Sequence, residues 1–302
     1  MSMLAKERIK FHQYLIEQEI LTYSPFRKYN TQHVCSIADT GQKQSVLIAN
    51  LLAEKISNRV DSSLVLRPKK KDGQTLGNEF EEACTLYLKN TFLKLGKLRP
   101  GNWSIDKINS RSQTVLGTYE QYSHLAELGR LASKHKELRN FLGDGYTVAP
   151  DVVISRLPES DETINQDMEI VGDSTCLKAA LRASNHAQAD QPAPILHASI
   201  SCKFTMRSDR AQNTRTEALN LIRARKGQSP HIVSLTSEPT ASRIASLALG
   251  TGDLDCVYHF ALYELRETLV ELEYENGLEL LDSMVEGKRL KDISDLPLDL
   301  AI

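Results

Sequence analysis

Three side chains scattered along the sequence are of the types that phosphate chemistry uses: Asp151, directly after Pro150; Lys203, two positions after Ser201; and Glu217. Paired carboxylates bind a hard divalent cation such as magnesium through oxygen. A metal held that way polarises a phosphodiester and lowers the pKa of an attacking water, while a lysine orients that water or stabilises charge developing on phosphorus. The sequence has no GxxxxGK[ST] loop, HExxH, GxSxG or GxGxxG, so no other grouping competes with this one. Each residue also has an ordinary role open to it. Asp151 can begin a strand with a turn-type hydrogen bond, Lys203 can simply end one, and Thr214-Arg215-Thr216-Glu217 fits the S/T-x-x-E box that caps a helix N-terminus.

The elements that must position these residues show in the hydrophobic periodicity. Residues 195–204 alternate, with Ala198, Ile200, Cys202 and Phe204 on one face and His197, Ser199, Ser201 and Lys203 on the other. The spacing predicts a strand whose polar face lies opposite the core and whose end carries Lys203, a common place for site residues in α/β folds. A second strand is expected over 146–154, bearing Asp151. Glu217 is expected two to three residues into a helix over about 215–225. Strands over 231–236 and 256–263, with a helix over 241–249, complete this half. Upstream, helical spacing covers 4–20, 45–56, 77–92 and 119–141, and Lys69-Lys70-Lys71-Asp72-Gly73 reads as a basic loop. The polar stretch 158–194 reads as an excursion with a short helix near Leu177. This order indicates an α/β fold, a mixed β-sheet flanked by helices. It is expected to form one elaborated domain, with residues 1–142 mainly helical, 143–263 forming the sheet core and 264–302 an acidic C-terminal region.

With 302 residues, 41% hydrophobic and 25% charged, the chain is neither a disordered tail, a collagen nor a coiled-coil rod. No run approaches the roughly 18 apolar residues of a membrane span. Lys6, Glu7 and Arg8 are unlike a secretory leader, and five scattered cysteines without a CxxC pair argue against a disulfide framework or zinc knuckle. A reduced, cytoplasmic protein is the expectation. The formal net charge of -2 hides an asymmetry. Residues 203–226 carry seven cations and two anions, whereas 264–302 carry eleven acids and four bases. A single basic segment on an acidic body suits a protein that meets a polyanion with one face; a solvated helix face has the same composition.

Within that segment, Arg207-Ser208-Asp209-Arg210 can act as a direct-readout unit. Arginine pairs bidentately with guanine O6 and N7, and aspartate accepts from cytosine N4. One such unit reads two adjacent G·C pairs, and a two-fold dimer would repeat it, giving a CCGG-type palindrome. The ordinary alternative is mutual pairing at the surface. The cations Arg223, Arg225 and Lys226 suit phosphate contact or solvation.

The segment Ser201-Cys202-Lys203-Phe204-Thr205-Met206-Arg207-Ser208-Asp209-Arg210, followed by Arg215-Thr216-Glu217, resembles the type II restriction endonucleases of the NgoMIV group, within the PD-(D/E)XK nuclease superfamily. The similarity is most detailed over 198–239 and looser at Pro150-Asp151 and Gly77-Asn78-Glu79-Phe80-Glu81. It implies a PD-(D/E)XK restriction-endonuclease-like core and a magnesium-dependent enzyme that cuts double-stranded DNA at a CCGG-containing palindrome, GCCGGC being favoured. Asp151 then stands as the first carboxylate and Lys203 as the motif lysine. Ser201 departs from the general pattern, where an acidic residue is usual; in the CCGG-reading group Glu217 occupies the position that supplies this carboxylate. The main-chain carbonyl of Cys202 would be a further metal ligand. Glu81 resembles an additional acid, with Glu79 and Glu82 competing for that role. Arg207, Asp209 and Arg210 match the residues that read the inner CCGG, and Gln74 and Asp39 are the candidates for the flanking bases. A homodimer or homotetramer is implied. A structure-specific junction nuclease and a non-catalytic sequence-specific DNA binder remain the alternatives.

Overall fold

In the computed structural model, which describes residues 1–108, 116–135, 137, 150–186, 190–206, 208–250 and 252–302, the chain opens with helix α1 (Met3–Glu17). Ser2 caps it, its Oγ accepting the N–H of Ala5 at 3.3 Å. A short antiparallel ribbon, β1 (Tyr23–Pro25) and β2 (His33–Cys35), separates α1 from α2 (Lys43–Val60). Val46, Ala49, Ala53 and Ile56 put one apolar stripe of α2 into the core at helical spacing. Helix α3 (Gly73–Thr91) begins a turn before the expected start at Gly77, because Asp72 caps it by accepting the N–H of Gln74 at 2.8 Å.

Strand β3 (Trp103–Lys107), absent from the sequence expectation, pairs antiparallel with β4 (Val152–Arg156). Between them lies α4 (Ser123–Lys134). The expected strand residues 146–149 and the end of the expected helix, 136 and 138–141, lie outside the described residues. After β4 come the short helix α5 (Asp161–Ile164) and a single 3-10 turn at Ala183–Asn185, with no helix at Leu177. Then follow β5 (Ile195–Lys203), α6 (Ser208–Ala224), β6 (His231–Thr236), α7 (Ala241–Ala248) and β7 (Cys256–His259). The chain ends with α8 (Leu262–Glu271), α9 (Glu275–Glu286), β8 (Leu290–Asp292) and α10 (Leu296–Asp299). The expected strand over 256–263 is therefore shorter and runs straight into α8.

The sheet order is β3-β4-β5-β6-β7-β8, with β6/β7 and β7/β8 parallel. With β3/β4 antiparallel, this is the mixed α/β sheet flanked by helices that the element order called for. Contacts group the chain into two compact units. The first comprises Met1–Leu95, Ile200–Arg215 and Ile232–Ile302; the second comprises Gly96–Ser199 and Thr216–His231. No helix among the described residues is long and apolar enough to cross a membrane.

The first unit closes its two chain ends with buried charge. Arg8 on α1 donates to Asp292 of β8 (2.8 Å twice) and to Glu264 of α8 (2.9 and 2.6 Å), both carboxylates being fully buried. Arg59 of α2 adds a bond to Glu264 at 2.7 Å. Some of the acidic surplus of 264–302 is thus consumed inside the fold.

Candidate functional site

Strand β5 keeps the predicted alternation but buries both faces. Its apolar side is in the core, yet His197 (9% exposed), Ser199 (5%) and Ser201 (9%) are buried too. The polar face of an interior strand is still covered by whatever helix packs there, and Ser201 Oγ lies 3.5 Å from Thr214 Oγ1 of α6. Lys203 is half-buried at the carboxyl end of the strand.

Helix α6 changes two readings made from the sequence. It begins at Ser208, so Glu217 sits in its third turn rather than two to three residues in, and Thr214-Arg215-Thr216-Glu217 caps no helix start. The same early start puts Asp209 and Arg210 in the first turn of a helix expected to begin only near 215; Arg207 lies outside the described residues. Glu217 is half-buried.

The candidate residues fall into the two units as follows. Ser201, Cys202, Lys203, Glu81, Gln74 and Asp39 belong to the first; Asp151 and Glu217 belong to the second. In the second unit, Asp151 immediately precedes β4 and is half-buried; its carbonyl accepts the N–H of Ile108 at 3.0 Å, which ties it to the end of β3. In the first, Phe80 of α3 meets Phe204 edge-on, ring centroids 5.7 Å apart. That contact seats α3 beside the exit of β5, with Glu81 one residue away. Of its competitors, Glu79 is held by Lys71 at 2.8 Å and Glu82 is exposed, while Glu81 is half-buried.

Hard-cation chemistry fits the available donors. The carbonyls of Ser201 and Lys203 accept from Ser234 Oγ (3.0 Å) and Thr236 Oγ1 (2.9 Å), both on the β6 side. Carbonyls alternate along a strand, so that of Cys202 points to the opposite edge of β5. Among the described residues no three His, Cys, Asp or Glu side chains gather as a metal cage. The donors on offer are carboxylate and carbonyl oxygen, the set that magnesium takes.

Sequence reasoning missed the segment that fastens the exit of β5. Thr236 Oγ1 and the N–H of Ser237 both donate to the Lys203 carbonyl, at 2.9 and 3.3 Å. Ser237 Oγ donates to the carbonyl of Phe204 at 2.5 Å. Glu238 accepts the N–H of Met206 at 2.8 Å, and Arg243 donates to the Met206 carbonyl at 3.1 Å. Glu238 is fully buried; desolvation raises its carboxyl above the usual range, against the opposing hydrogen bonds from Thr240 and the Met206 N–H. Its signal was a carboxylate just beyond a buried strand, the reasoning already applied to Lys203.

A cleft of about 660 Å³ in this unit is lined by, among others, Asp39, Lys70, Gly73, Phe204, Thr205 and Arg243. Gln74 follows Gly73 and is exposed. Both flanking-base candidates therefore sit at or next to one cleft beside the exit of β5. Asp39 is tightly oriented: its N–H donates to Ser45 Oγ (2.9 Å), Oδ1 accepts the N–H of Gly41 (3.0 Å), and Oδ2 pairs with Arg243.

The whole chain resembles characterised proteins. The family model described as NgoMIV restriction enzyme matches residues 11–302. The type II restriction enzyme NgoMIV of Neisseria gonorrhoeae is 45% identical over 300 residues, 99% of each chain. A solved structure described as a restriction endonuclease PspGI-substrate DNA complex aligns over 87% of this chain and 95% of its own, at 14% identity and a TM-score of 0.25.

Proposed function

Since the chain belongs to the NgoMIV restriction enzyme family and is a type II restriction enzyme, a site-specific deoxyribonuclease, we propose that it hydrolyses both strands of DNA at a palindrome with a CCGG core. GCCGGC is the favoured target, magnesium the cofactor, 5′-phosphate and 3′-hydroxyl ends the products, and a homodimer or homotetramer the acting form. The observation that carries this reading is the end of β5. Lys203 stands half-buried at the carboxyl terminus of an interior strand, its carbonyl fixed by two donors at the end of β6, Thr236 Oγ1 and the N–H of Ser237.

Asp151, Glu217 and the Cys202 carbonyl would hold magnesium, which when bound polarises the scissile phosphodiester and activates water. Lys203 donates an ammonium N–H to the attacking water or stabilises the negative charge that builds at the phosphoryl group. Glu81, on the helix seated by the Phe80–Phe204 contact, is the additional acid. Ser201 supplies no charge. Buried against Thr214, its position would desolvate a carboxylate at high cost, which supports the reading that the carboxylate comes from α6 as Glu217. Arg207, Asp209 and Arg210 read the inner CCGG, and Asp39 and Gln74 read the flanking pair from the cleft.

Lys203→Ala and Asp151→Ala each abolish cleavage of a CCGG-containing plasmid while specific binding in a gel-shift assay persists. Near-normal turnover by either variant overturns the assignment of the site.

A further inference from the structure

The bonds of Arg243 reach two of these reading elements at once. One guanidinium nitrogen donates to the carbonyl of Met206, the residue before Arg207; the other pairs with Asp39 Oδ2. Glu238, fully buried, lies 3.8 Å from the same guanidinium and accepts the N–H of Met206. Arg243 is therefore anchored on its own side by a buried carboxylate and grips the Asp39 loop with one arm and the backbone entering α6 with the other. Lys70 strengthens the first grip by donating to the carbonyl of Ala38 at 3.3 Å. A planar fork is suited to this: its donors diverge at a fixed angle, so two acceptors held by it keep a fixed separation.

We propose that Arg243 is a positioning residue that sets the Asp39 carboxylate in register with the inner reading segment, so that the flanking base pair and the CCGG core are read as one unit. This rests on the reading of Asp39 as a flanking-base contact. A carboxylate selects cytosine by accepting from N4, and that bond is lost when the acceptor moves by an ångström or so. Arg243 fixes one oxygen of the Asp39 carboxylate, and the Gly41 N–H orients the other. Removing the guanidinium takes this hold off the Asp39 loop while leaving every reading side chain itself unchanged.

The test uses the full-length enzyme with magnesium and four duplexes carrying GCCGGC, ACCGGT, TCCGGA and CCCGGG. Single-turnover cleavage gives, for each variant, the ratio of the best flank to the other three. This ratio is internal to one enzyme sample, so it does not depend on how much of that sample is folded. Asp39→Asn lowers the ratio roughly tenfold or more. Arg243→Ala lowers it by a similar factor, Arg243→Lys restores some of it, and the double variant Asp39→Asn/Arg243→Ala loses no more than Asp39→Asn alone. If Asp39→Asn leaves the ratio unchanged, the reading of Asp39 is wrong and the inference falls with it. If Asp39→Asn collapses the ratio but Arg243→Ala and Arg243→Lys slow all four duplexes equally, Arg243 serves stability or phosphate contact and the positioning role is refuted while the Asp39 reading stands.

Discussion

Arg8 and Arg243 are both arginines that hold acidic side chains within the same unit, yet their bonds end in different places. Arg8 spends its donors on two fully buried carboxylates, Glu264 and Asp292, and joins α1 to α8 and β8. Arg243 divides its donors between a carboxylate beside a cleft and a backbone carbonyl just before the reading segment. The first cluster is closed on itself and fixes the fold; the second ends on loops and, in the proposed reading, fixes where the reading groups stand. A charged cluster is thus interpreted by what its last bond reaches, not by how many ion pairs it contains.

The contrast breaks most sharply at Arg8. Arg8→Ala leaves buried Glu264 with Arg59 and buried Asp292 with the hydrogen bonds from Leu262 and Ser294, and the cost of breaking such a network is about 3–5 kcal/mol. Thermal or urea unfolding should show that loss, while the flanking-base ratio of the folded fraction stays at the wild-type value. A changed ratio would mean the two clusters are not separate.

The pH dependence sharpens the contrast, because the two clusters respond in opposite senses. Burial alone would raise the Glu264 carboxyl, but the hydrogen bonds from Arg8, with the neighbouring positive charge, hold it down to about 2. A depressed carboxyl contributes stability above its ordinary value of 4.5 that is lost as pH falls towards about 2. Beside this cluster, desolvation lowers the fully buried His259 to about 4, so protons taken up by the unfolded chain cost stability as pH falls from 6.5 to about 4. Each contribution is on the order of 3 kcal/mol. Glu238 runs the other way: its raised carboxyl favours the protonated native state, so its ionisation weakens the fold as pH rises from the ordinary carboxylate value. Unfolding curves against pH should show the acid loss flattened in Glu264→Gln and the opposing slope removed in Glu238→Gln. Identical pH slopes in wild type and both variants would contradict these assignments.

What the sequence made legible was local. Alternation along 195–203 is a two-residue pattern, and it placed Ser201 and Lys203 on one face correctly. It could not reveal that the polar face is covered, because that depends on Thr214 arriving from α6. The start of α6 was misjudged for a related reason. A cluster of arginines and an aspartate reads as a loop, although Ser208 and Asp209 are residue types that favour a helix start. Strand β3 lacks a strong apolar run, with one buried residue, Ile105, in five, and gains its identity only by pairing with β4. Bonds between residues far apart in sequence, such as Arg8 to Asp292 and Arg243 to Asp39, leave no periodic trace at all. Hence residue types offered candidates for the site, whereas the scaffold that holds them left no trace in the sequence.

Cleavage at one short palindrome by groups at the end of β5 is the central claim. Plasmid DNA digested by the purified enzyme with magnesium, its ends sequenced and their phosphates located, tests that most directly. The expected result is that every end falls at the same position within a CCGG-centred palindrome and bears a 5′-phosphate, with no ends from Lys203→Ala. Ends scattered over unrelated sequences, or confined to branched junctions, would contradict it.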